Sequence, residues 1–119
     1  MDASAAIKTL REVADKISTV EGVIETHSAP AMEDMAELAK YYCPVDTGRL
    51  RESIRMEGAF PHYTLIADAI NQYGQPYAAY VEYGTSKMPA QPFMWPAVYT
   101  IWEDLRPTLG GAIRRHLLG

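Results

Sequence analysis

The sequence of 119 residues has few of the groups that cross-link a small protein or anchor it in a membrane. Its one cysteine, Cys43, excludes an internal disulfide bond and a cysteine-based zinc site, and it indicates a reducing compartment. The longest uncharged stretch, 88–102, contains three prolines and therefore cannot span a membrane. Because Asp2 and the charges after Lys8 interrupt any basic-then-apolar order, we expect no signal peptide.

Positive charge is also scarce, since 11 Lys and Arg face 15 Asp and Glu and the net charge is −4. Tight binding to a phosphate backbone normally needs a basic face, which this balance disfavours. One local cluster, Arg49, Arg51 and Arg55, keeps a nucleic-acid-binding module open as an alternative. With 48% apolar and 22% charged residues, the composition is that of a globular protein, and the length suits one domain over 1–119.

Recognisable catalytic motifs are missing as well. The three histidines, His27, His62 and His116, lie far apart in the sequence and at no metal-ligand spacing. Cys43 precedes a proline without a matching histidine motif, so a buried, small apolar group is the better interpretation. We therefore predict no catalytic residue, no metal, no cofactor and no small-molecule substrate. An enzyme would instead need a pocket with converging titratable groups.

The N-terminal region is predicted to be helical. Gly22 interrupts it, and so does Pro30 with Ser28 before it, where Ser28 suits a helix N-cap and Pro30 a first turn. The region is therefore either two helices, about 4–21 and 29–43, or one long helix kinked near Pro30. One apolar stripe with spacings of three and four keeps its phase throughout. It consists of Leu10, Val13, Ile17, Val20, Ile24, His27, Ala31, Met35, Leu38 and Tyr42.

The middle region, 44–92, is predicted to be an antiparallel β-meander with a long arm. Alternating apolar and polar residues predict strands at 53–60 and 63–70, paired as a hairpin. Residues 77–83 fit a strand and a short helix equally well. Prolines make the connection after them extended, and 86–92 is the arm that we expect to reach a neighbouring subunit.

The C-terminal region, 93–119, is predicted to return to helix, with Ala97 and Leu105 on one face. Pro107 and the pair Gly110–Gly111 are expected to stop or kink it before a last short helix. The predicted fold class is α+β. It comprises an N-terminal helix (1–43, or a helix pair), a small antiparallel meander of three to four strands, and a C-terminal helix.

Aromatic residues crowd into residues 73–102. They are Tyr73, Tyr77, Tyr80, Tyr83, Phe93, Trp95, Tyr99 and Trp102. Aromatic side chains are enriched at the centres of protein–protein interfaces. Because so small a domain can hardly bury all of them, we expect some to contact a partner.

Two segments carry a family resemblance. Residues 44–54 (PVDTGRLRESI) and 77–93 (YAAYVEYGTSKMPAQPF), in this order, resemble the phage HK-ninety-seven gene-product-ten family. Its members are small minor structural proteins of long-tailed bacteriophages and prophages, assigned to tail completion or head–tail joining. The resemblance is close over 44–97, whereas the flanking helices match only in kind.

The resemblance implies an α+β subunit without catalytic residues that forms a ring, hexameric in the virion, at the neck or proximal tail end. The implied partners are further copies and the tail terminator, tail tube or head-closure proteins, while DNA passes through without specific binding. The protein is expected in the virion after assembly in the host cytoplasm, and it can be monomeric in isolation. A tail terminator or head-closure protein of the same neck is the first alternative, since it shares the size and the ring habit.

The turn from helix to sheet is predicted at Asp46, Thr47 and Gly48. Asp46 can bond to backbone amides ahead of it, and Gly48 can take a positive φ. Glu82 lies in a tyrosine-rich stretch, and a buried carboxylate there would need a cation. The candidate cations are Arg49, Arg51 and Lys87, either of the same chain or across the subunit interface.

Other residues are predicted to meet a neighbouring subunit or partner. Phe93 and Trp95, between two prolines, are expected to seat the arm on the sheet or on a neighbour. Arg49 and Arg51 are expected to pair with acids of the same chain or to bridge subunits. The complete interface set is Arg49, Arg51, Tyr80, Glu82, Tyr83, Lys87, Met88, Pro92, Phe93 and Trp95. Acidic residues of the second helix are hypothesised to face a DNA channel, namely Glu25, Glu33, Asp34 and Glu37.

Overall fold

A long pair of helices dominates the computed structural model, which describes residues 3–46 and 48–119. The elements are α1 (Ala3–Ser18), α2 (Val20–Tyr42), α3 (Arg49–Ser53), β1 (Arg55–Ala59), β2 (His62–Ile66), α4 (Ala78–Tyr83) and α5 (Met94–Leu118). The molecule measures 73 × 23 × 21 Å and has a radius of gyration of 20.8 Å. A compact domain of this length would have a radius of gyration of about 13 Å. The protein is therefore rod-shaped, because its longest helices align.

α2 and α5 form the spine of the rod and run antiparallel, since Ala39 and Ala97 share one core cluster while Thr19 contacts His116 near the end of α5. The residues that these helices bury are Ser28, Met35, Ala36, Ala39, Ala97, Leu105 and Ala112. Most of them are small, and small side chains allow two helix backbones to approach closely.

The hydrophobic core lies at one end of this spine, which we call the core end. It gathers the last turn of α2, the short helix α3, the residues flanking the hairpin and the start of α5. Its buried members are Ala39, Cys43, Leu50, Ile54, Ala69, Phe93 and Ala97. Phe93 and Ile54 are its largest fully buried side chains.

α1 extends the rod beyond the spine and buries none of its residues. At 1.5 Å per residue, α2 and α5 are each about 35–40 Å long, so the 73 Å length requires α1 to project past them. Its last turn is held at the end of α5, where Lys16 Nζ donates to the carbonyl oxygen of Leu117 at 3.4 Å. Thr19 Oγ1 lies 2.6 Å from His116 Nε2.

The prediction of a helix pair at the N-terminus is confirmed, but the predicted position of the break is wrong. The break lies at Thr19, where φ is −97° and ψ is 0°. The hydroxyl of Ser18 donates to the carbonyl of Asp15 at 2.7 Å, and that of Thr19 donates to the carbonyl of Lys16 at 3.0 Å. Such side-chain bonds offer the backbone an alternative to helix continuation.

Pro30 and Pro107 were each predicted either to bound a helix or to kink one, and neither of them bounds a helix. Pro30 is within α2 and Pro107 is within α5, and Gly110–Gly111 does not interrupt α5 either. Each proline lacks the amide that would donate to the carbonyl four residues earlier, which belongs to Thr26 for Pro30 and to Glu103 for Pro107. Thr26 and Glu103 are exposed, so water can donate to these carbonyls instead. The cost of about 3 kcal/mol for an interior proline is offset by the long α2–α5 contact. Ser28, predicted as a cap, is buried in that contact.

The predicted hairpin is confirmed, whereas the expected sheet of three to four strands is wrong, because the described residues form a sheet of two. β1 and β2 are antiparallel, with Arg55 opposite Ile66 and Ala59 opposite His62. Gly58 has φ +97°, and a Cβ there would collide with the carbonyl oxygen of His62, so the strand needs glycine at this point.

After β2 the chain stops pairing in strands. The side chain of Asn71 accepts hydrogen bonds from the amides of Tyr73 (2.9 Å) and Gln75 (3.0 Å) and closes a loop. Residues 77–83, which were left open between strand and helix, contain the short helix α4. The region predicted as a meander therefore holds one hairpin between two short helices.

Candidate functional site

The predicted turn leads into α3. Gly48 has φ +84° and is the residue before the first turn of that helix, so its predicted positive φ is confirmed. The amide of Glu52 donates to the Gly48 carbonyl at 2.9 Å. Asp46 is exposed, and its bonds to backbone amides stay a prediction. Thr47 lies outside the described residues.

Glu82 is buried, with 8% of its surface exposed, and its hydrogen-bond partners within the chain are backbone amides and not the predicted cations, while a cation from a neighbouring subunit stays a prediction. Its Oε1 accepts from the amides of Phe93 at 3.0 Å and Met94 at 2.8 Å, and its Oε2 accepts from the amide of Trp95 at 3.1 Å. The first amides of a helix have no partner inside the helix and form the positive end of its dipole. The carboxylate of α4 therefore caps α5 and fixes where that helix begins.

Phe93 is fully buried in the core of its own chain, so its predicted role at an interface is wrong. The Glu82 hydrogen bonds hold the backbone of 93–95, which directs the Phe93 ring inward among Ile54 and Ala97. Trp95, two positions later, is 66% exposed and remains available to a partner.

The arm, 86–92, does not project from the molecule as predicted but folds back on α4. The amide of Gln91 donates to the Val81 carbonyl at 2.8 Å, and that of Thr85 donates to the Met88 carbonyl at 2.8 Å. Gly84 has φ +77°, and a Cβ there would lie 2.6 Å from the amide nitrogen of Ala90. This close approach of backbone segments holds the arm against its own subunit.

A groove of about 590 Å³ brings part of the predicted site together. Its lining includes Asp46, Gly48, Arg49, Tyr80 and Met88 from that set. The loop and α4 add further aromatic surface through Tyr73 and Tyr77. Aromatic rings interspersed with polar groups are typical of surfaces that contact other polypeptides. The remaining predicted residues do not line this groove, namely Arg51, Glu82, Tyr83, Lys87, Pro92, Phe93 and Trp95.

A second surface lies on α5. Trp95, Tyr99 and Trp102 are 50–66% exposed, and the rings of Trp95 and Tyr99 have centroids 6.3 Å apart. At 3.6 residues per turn, these side chains lie about 120° around the helix from the face that packs on α2. We call this surface the aromatic face. α5 therefore presents apolar side chains on one side to its own chain and on another side to solvent.

A third surface lies on α1, where the exposed apolar residues Ile7, Leu10, Val13 and Ile17 share one face. They are 48–68% exposed, and we call this surface the α1 ledge. Its periodic pattern was recognised in the sequence, but periodicity shows only that a face is apolar and not what covers it. A cleft of about 340 Å³ separates part of the ledge from Leu117 and Leu118.

The arginine cluster that suggested nucleic-acid binding is partly neutralised. Arg55 makes a bidentate pair with Asp68, with both N–O distances 2.9 Å, and its Nε donates to Glu57 at 2.7 Å. The hydrogen bonds of this pair lower the pKa of the Asp68 carboxyl and raise that of the Arg55 guanidinium. One cation between two carboxylates offers little attraction to a phosphate backbone.

Cys43 is buried, which confirms its interpretation as a small apolar side chain of the core. Burial raises the pKa of its thiol, and the positive charge of Arg51 offsets part of that rise. A buried thiol with a raised pKa is a poor nucleophile.

Within residues 3–46 and 48–119, no three His, Cys, Asp or Glu side chains are grouped so that they could hold a metal ion. Among the same residues, no helix combines the length and the apolar character needed to cross a membrane. No protein-family model, curated protein or solved structure matches the sequence.

Proposed function

We propose that the protein is a structural component of a tailed bacteriophage or prophage virion that acts in tail completion or head–tail joining. It would do so as one subunit of a ring, six-fold as the resemblance of 44–54 and 77–93 implies. The observation that carries this proposal is a rod-shaped chain that leaves both the α1 ledge and the aromatic face open to solvent. Large exposed apolar surfaces mark sites of protein–protein contact.

α1 supports an assembly function most directly. It has 16 residues and buries none of them. Most helices in proteins are stabilised by packing of their apolar face and not by intrinsic propensity. A partner that covered the apolar face of α1 would therefore stabilise this helix.

The two surfaces are also different from each other, as a ring requires. A closed ring forms when one patch on each subunit binds a different patch on the next. The α1 ledge is aliphatic and lies at one end of the rod, whereas the aromatic face lies near the core end. Each subunit therefore has one surface for each of two neighbours.

The charge of α2 suits a channel for DNA. Glu33, Asp34 and Glu37 are exposed and, by helix geometry, lie on the side of α2 away from α5. We place this side in the lumen, where carboxylates would repel DNA phosphates and let the DNA pass without being held. Glu25, also exposed, lies closer to α5 and is a less central member of this set.

Deletion of the gene from the phage or prophage that encodes it tests the proposal. We expect lysates with filled heads and finished tails that are not joined, as seen by electron microscopy, and rescue by the wild-type gene in trans. Tails of irregular length would instead indicate the tail terminator role. Complete, infectious particles from the deletion strain would contradict the proposal.

A further inference from the structure

We infer that the groove beside α4 binds a proline-rich segment of a partner protein in the polyproline II conformation. The groove has a volume of about 590 Å³. Its walls come from three parts of the chain, namely the turn into α3, the loop closed by Asn71, and α4 with the arm. The inference does not depend on the virion role, since it follows from the chemistry of the groove alone.

The size and the walls of the groove disfavour the other common conformations of a bound peptide. A bound helix needs about two turns to present its anchors, and two turns of about 10 Å diameter occupy about 800 Å³, more than the groove offers. A bound β-strand needs a free strand edge, but none of the described lining residues belongs to β1 or β2. Four or five residues of a polyproline II chain, at roughly 120 Å³ each, match the volume.

Three tyrosine rings give the groove flat apolar surfaces. Tyr77 and Tyr80 are three positions apart and therefore lie on the same side of α4. Tyr73 joins them from the loop, where its amide donates to the side chain of Asn71 at 2.9 Å. Tyr73 is 77% and Tyr80 is 55% exposed, so both rings are accessible. Grooves lined with aromatic rings are the surfaces on which proline-rich segments dock.

The hydrogen-bonding groups of the groove also suit proline. A polyproline II chain has no internal hydrogen bonds, so its carbonyl groups need donors. Tyrosine hydroxyls and the side-chain amides of Gln72 and Gln91 can donate to them. Because no strand edge lines the groove, the backbone N–H groups of an ordinary extended segment would find few acceptors, whereas proline has no N–H.

Charge and entropy favour the same occupant. Among the lining residues that the structure describes, the charged ones are Asp46 and Arg49, and their charges are opposite. The lining therefore has no net charge, so a charged peptide gains no overall attraction over an uncharged one. A proline-rich segment is uncharged, and its fixed φ lowers the entropy cost of ordering it in an open groove.

An NMR titration of the ¹⁵N-labelled protein with blocked hexaproline tests the inference. We expect saturable shifts at the amide signals of the groove, with a Kd below about 1 mM. A blocked hexapeptide of alternating glycine and serine is also uncharged but is flexible and has no rings. It should give no saturable shifts at the same concentrations.

Tyrosine variants locate the binding site. Tyr80→Ala and Tyr73→Ala remove one ring each and should weaken hexaproline binding at least about tenfold. Tyr73→Ala keeps the backbone amide that binds Asn71, so the loop can stay closed. The matched control is Tyr83→Ala, since Tyr83 is also on α4 and 81% exposed but does not line the groove. It should bind within about twofold of wild type, and circular dichroism checks that each variant is folded.

No saturation with hexaproline up to about 10 mM would overturn the inference. Equal binding of the glycine–serine peptide would do so as well, and so would equal weakening by Tyr83→Ala and Tyr80→Ala. Saturable shifts with maltotriose but not with hexaproline would reject it in favour of a sugar site, because rings and amides also suit sugars. All of these outcomes leave the gene-deletion experiment unaffected.

Discussion

Both ends of the rod carry amphipathic helices, yet only one of them has a core. At the core end, Ala39, Phe93 and Ala97 are fully buried. At the other end, α1 has no buried residue, and Leu10 is 68% exposed. The difference comes from where α5 ends and not from composition. α5 ends beside Lys16 and leaves the rest of α1 uncovered. An apolar stripe is buried only as far as a second element runs along it.

The apolar side chains of the two ends also have different roles. Apolar contacts at the core end hold the subunit together, whereas those of the α1 ledge are available for contact between subunits. Substitution of an apolar residue should therefore lower the stability of the subunit at the core end, whereas on the α1 ledge it should weaken contact between subunits.

The largest effect is expected for Phe93→Ala. Removal of a fully buried phenyl ring should lower the free energy of unfolding by about 3–5 kcal/mol, because it leaves a cavity in the core. Trp95→Ala, two positions away and exposed, should change it by less than about 0.5 kcal/mol in the monomer. Urea denaturation followed by circular dichroism measures both. Equal losses for the two variants would show that Trp95, like Phe93, stabilises the core of the subunit.

Glu82→Ala should have the second largest effect. Loss of the acceptor for three amides at the start of α5 should cost about 2–4 kcal/mol of stability. Glu82→Gln should cost less, since it keeps one oxygen acceptor of similar shape but loses the charge. Faster hydrogen exchange at 93–95 should accompany both changes. A wild-type exchange rate in Glu82→Ala would mean that the carboxylate does not cap this helix.

A matched leucine pair compares the two ends directly. Leu50→Ala at the core end should cost about 2–4 kcal/mol, because Leu50 is buried. Leu10→Ala on the ledge should cost no more than about 0.5 kcal/mol in dilute solution, but it should weaken self-association. Hydrogen exchange of the wild-type monomer should be faster throughout α1 than in α2 and α5. Strong protection of α1 in a monomer would contradict the division.

The smallest effect is expected at the exposed pair of Arg55 and Asp68. The hydrogen bond from Arg55 lowers the pKa of Asp68 in the folded state, so its stabilising contribution is present above the unfolded pKa. That contribution is lost as the pH falls through the lower, folded pKa. Asp68→Asn should therefore be slightly less stable than wild type near neutral pH and equal to it in acid. An NMR titration of Asp68 with a midpoint at its ordinary value would contradict this.

Much of the local structure was predictable from short-range patterns. The stripe through Leu10 and Ile17 predicted helices, the alternation around Arg55 predicted the hairpin, and the glycine at 48 marked a positive φ. The positions of helix breaks were harder to predict. A proline removes one backbone hydrogen bond from a helix, and packing against a second long helix can offset that loss. Pro30 and Pro107 are tolerated for this reason. At the actual break, the hydroxyls of Ser18 and Thr19 donate hydrogen bonds to backbone carbonyls.

The candidate site divides in the same way. Trp95 and Tyr80 were predicted to be available to a partner and are exposed, but Phe93 is buried and Glu82 binds backbone amides rather than a cation. The position of Glu82 in an apolar stretch predicts that its buried carboxylate accepts hydrogen bonds. It does not show which donor, because the first amides of α5 come close to Glu82 only when the arm folds back.

Sequence alone determined that the N-terminal and C-terminal regions are helical, where a hairpin lies and which faces are apolar, since these depend on spacings of two to four residues along the chain. Only the tertiary structure decided which of those faces is covered. Coverage depends on what another element, distant in sequence, places opposite a face and on how far it reaches. The same kind of stripe is therefore core along α2 and open surface along α1.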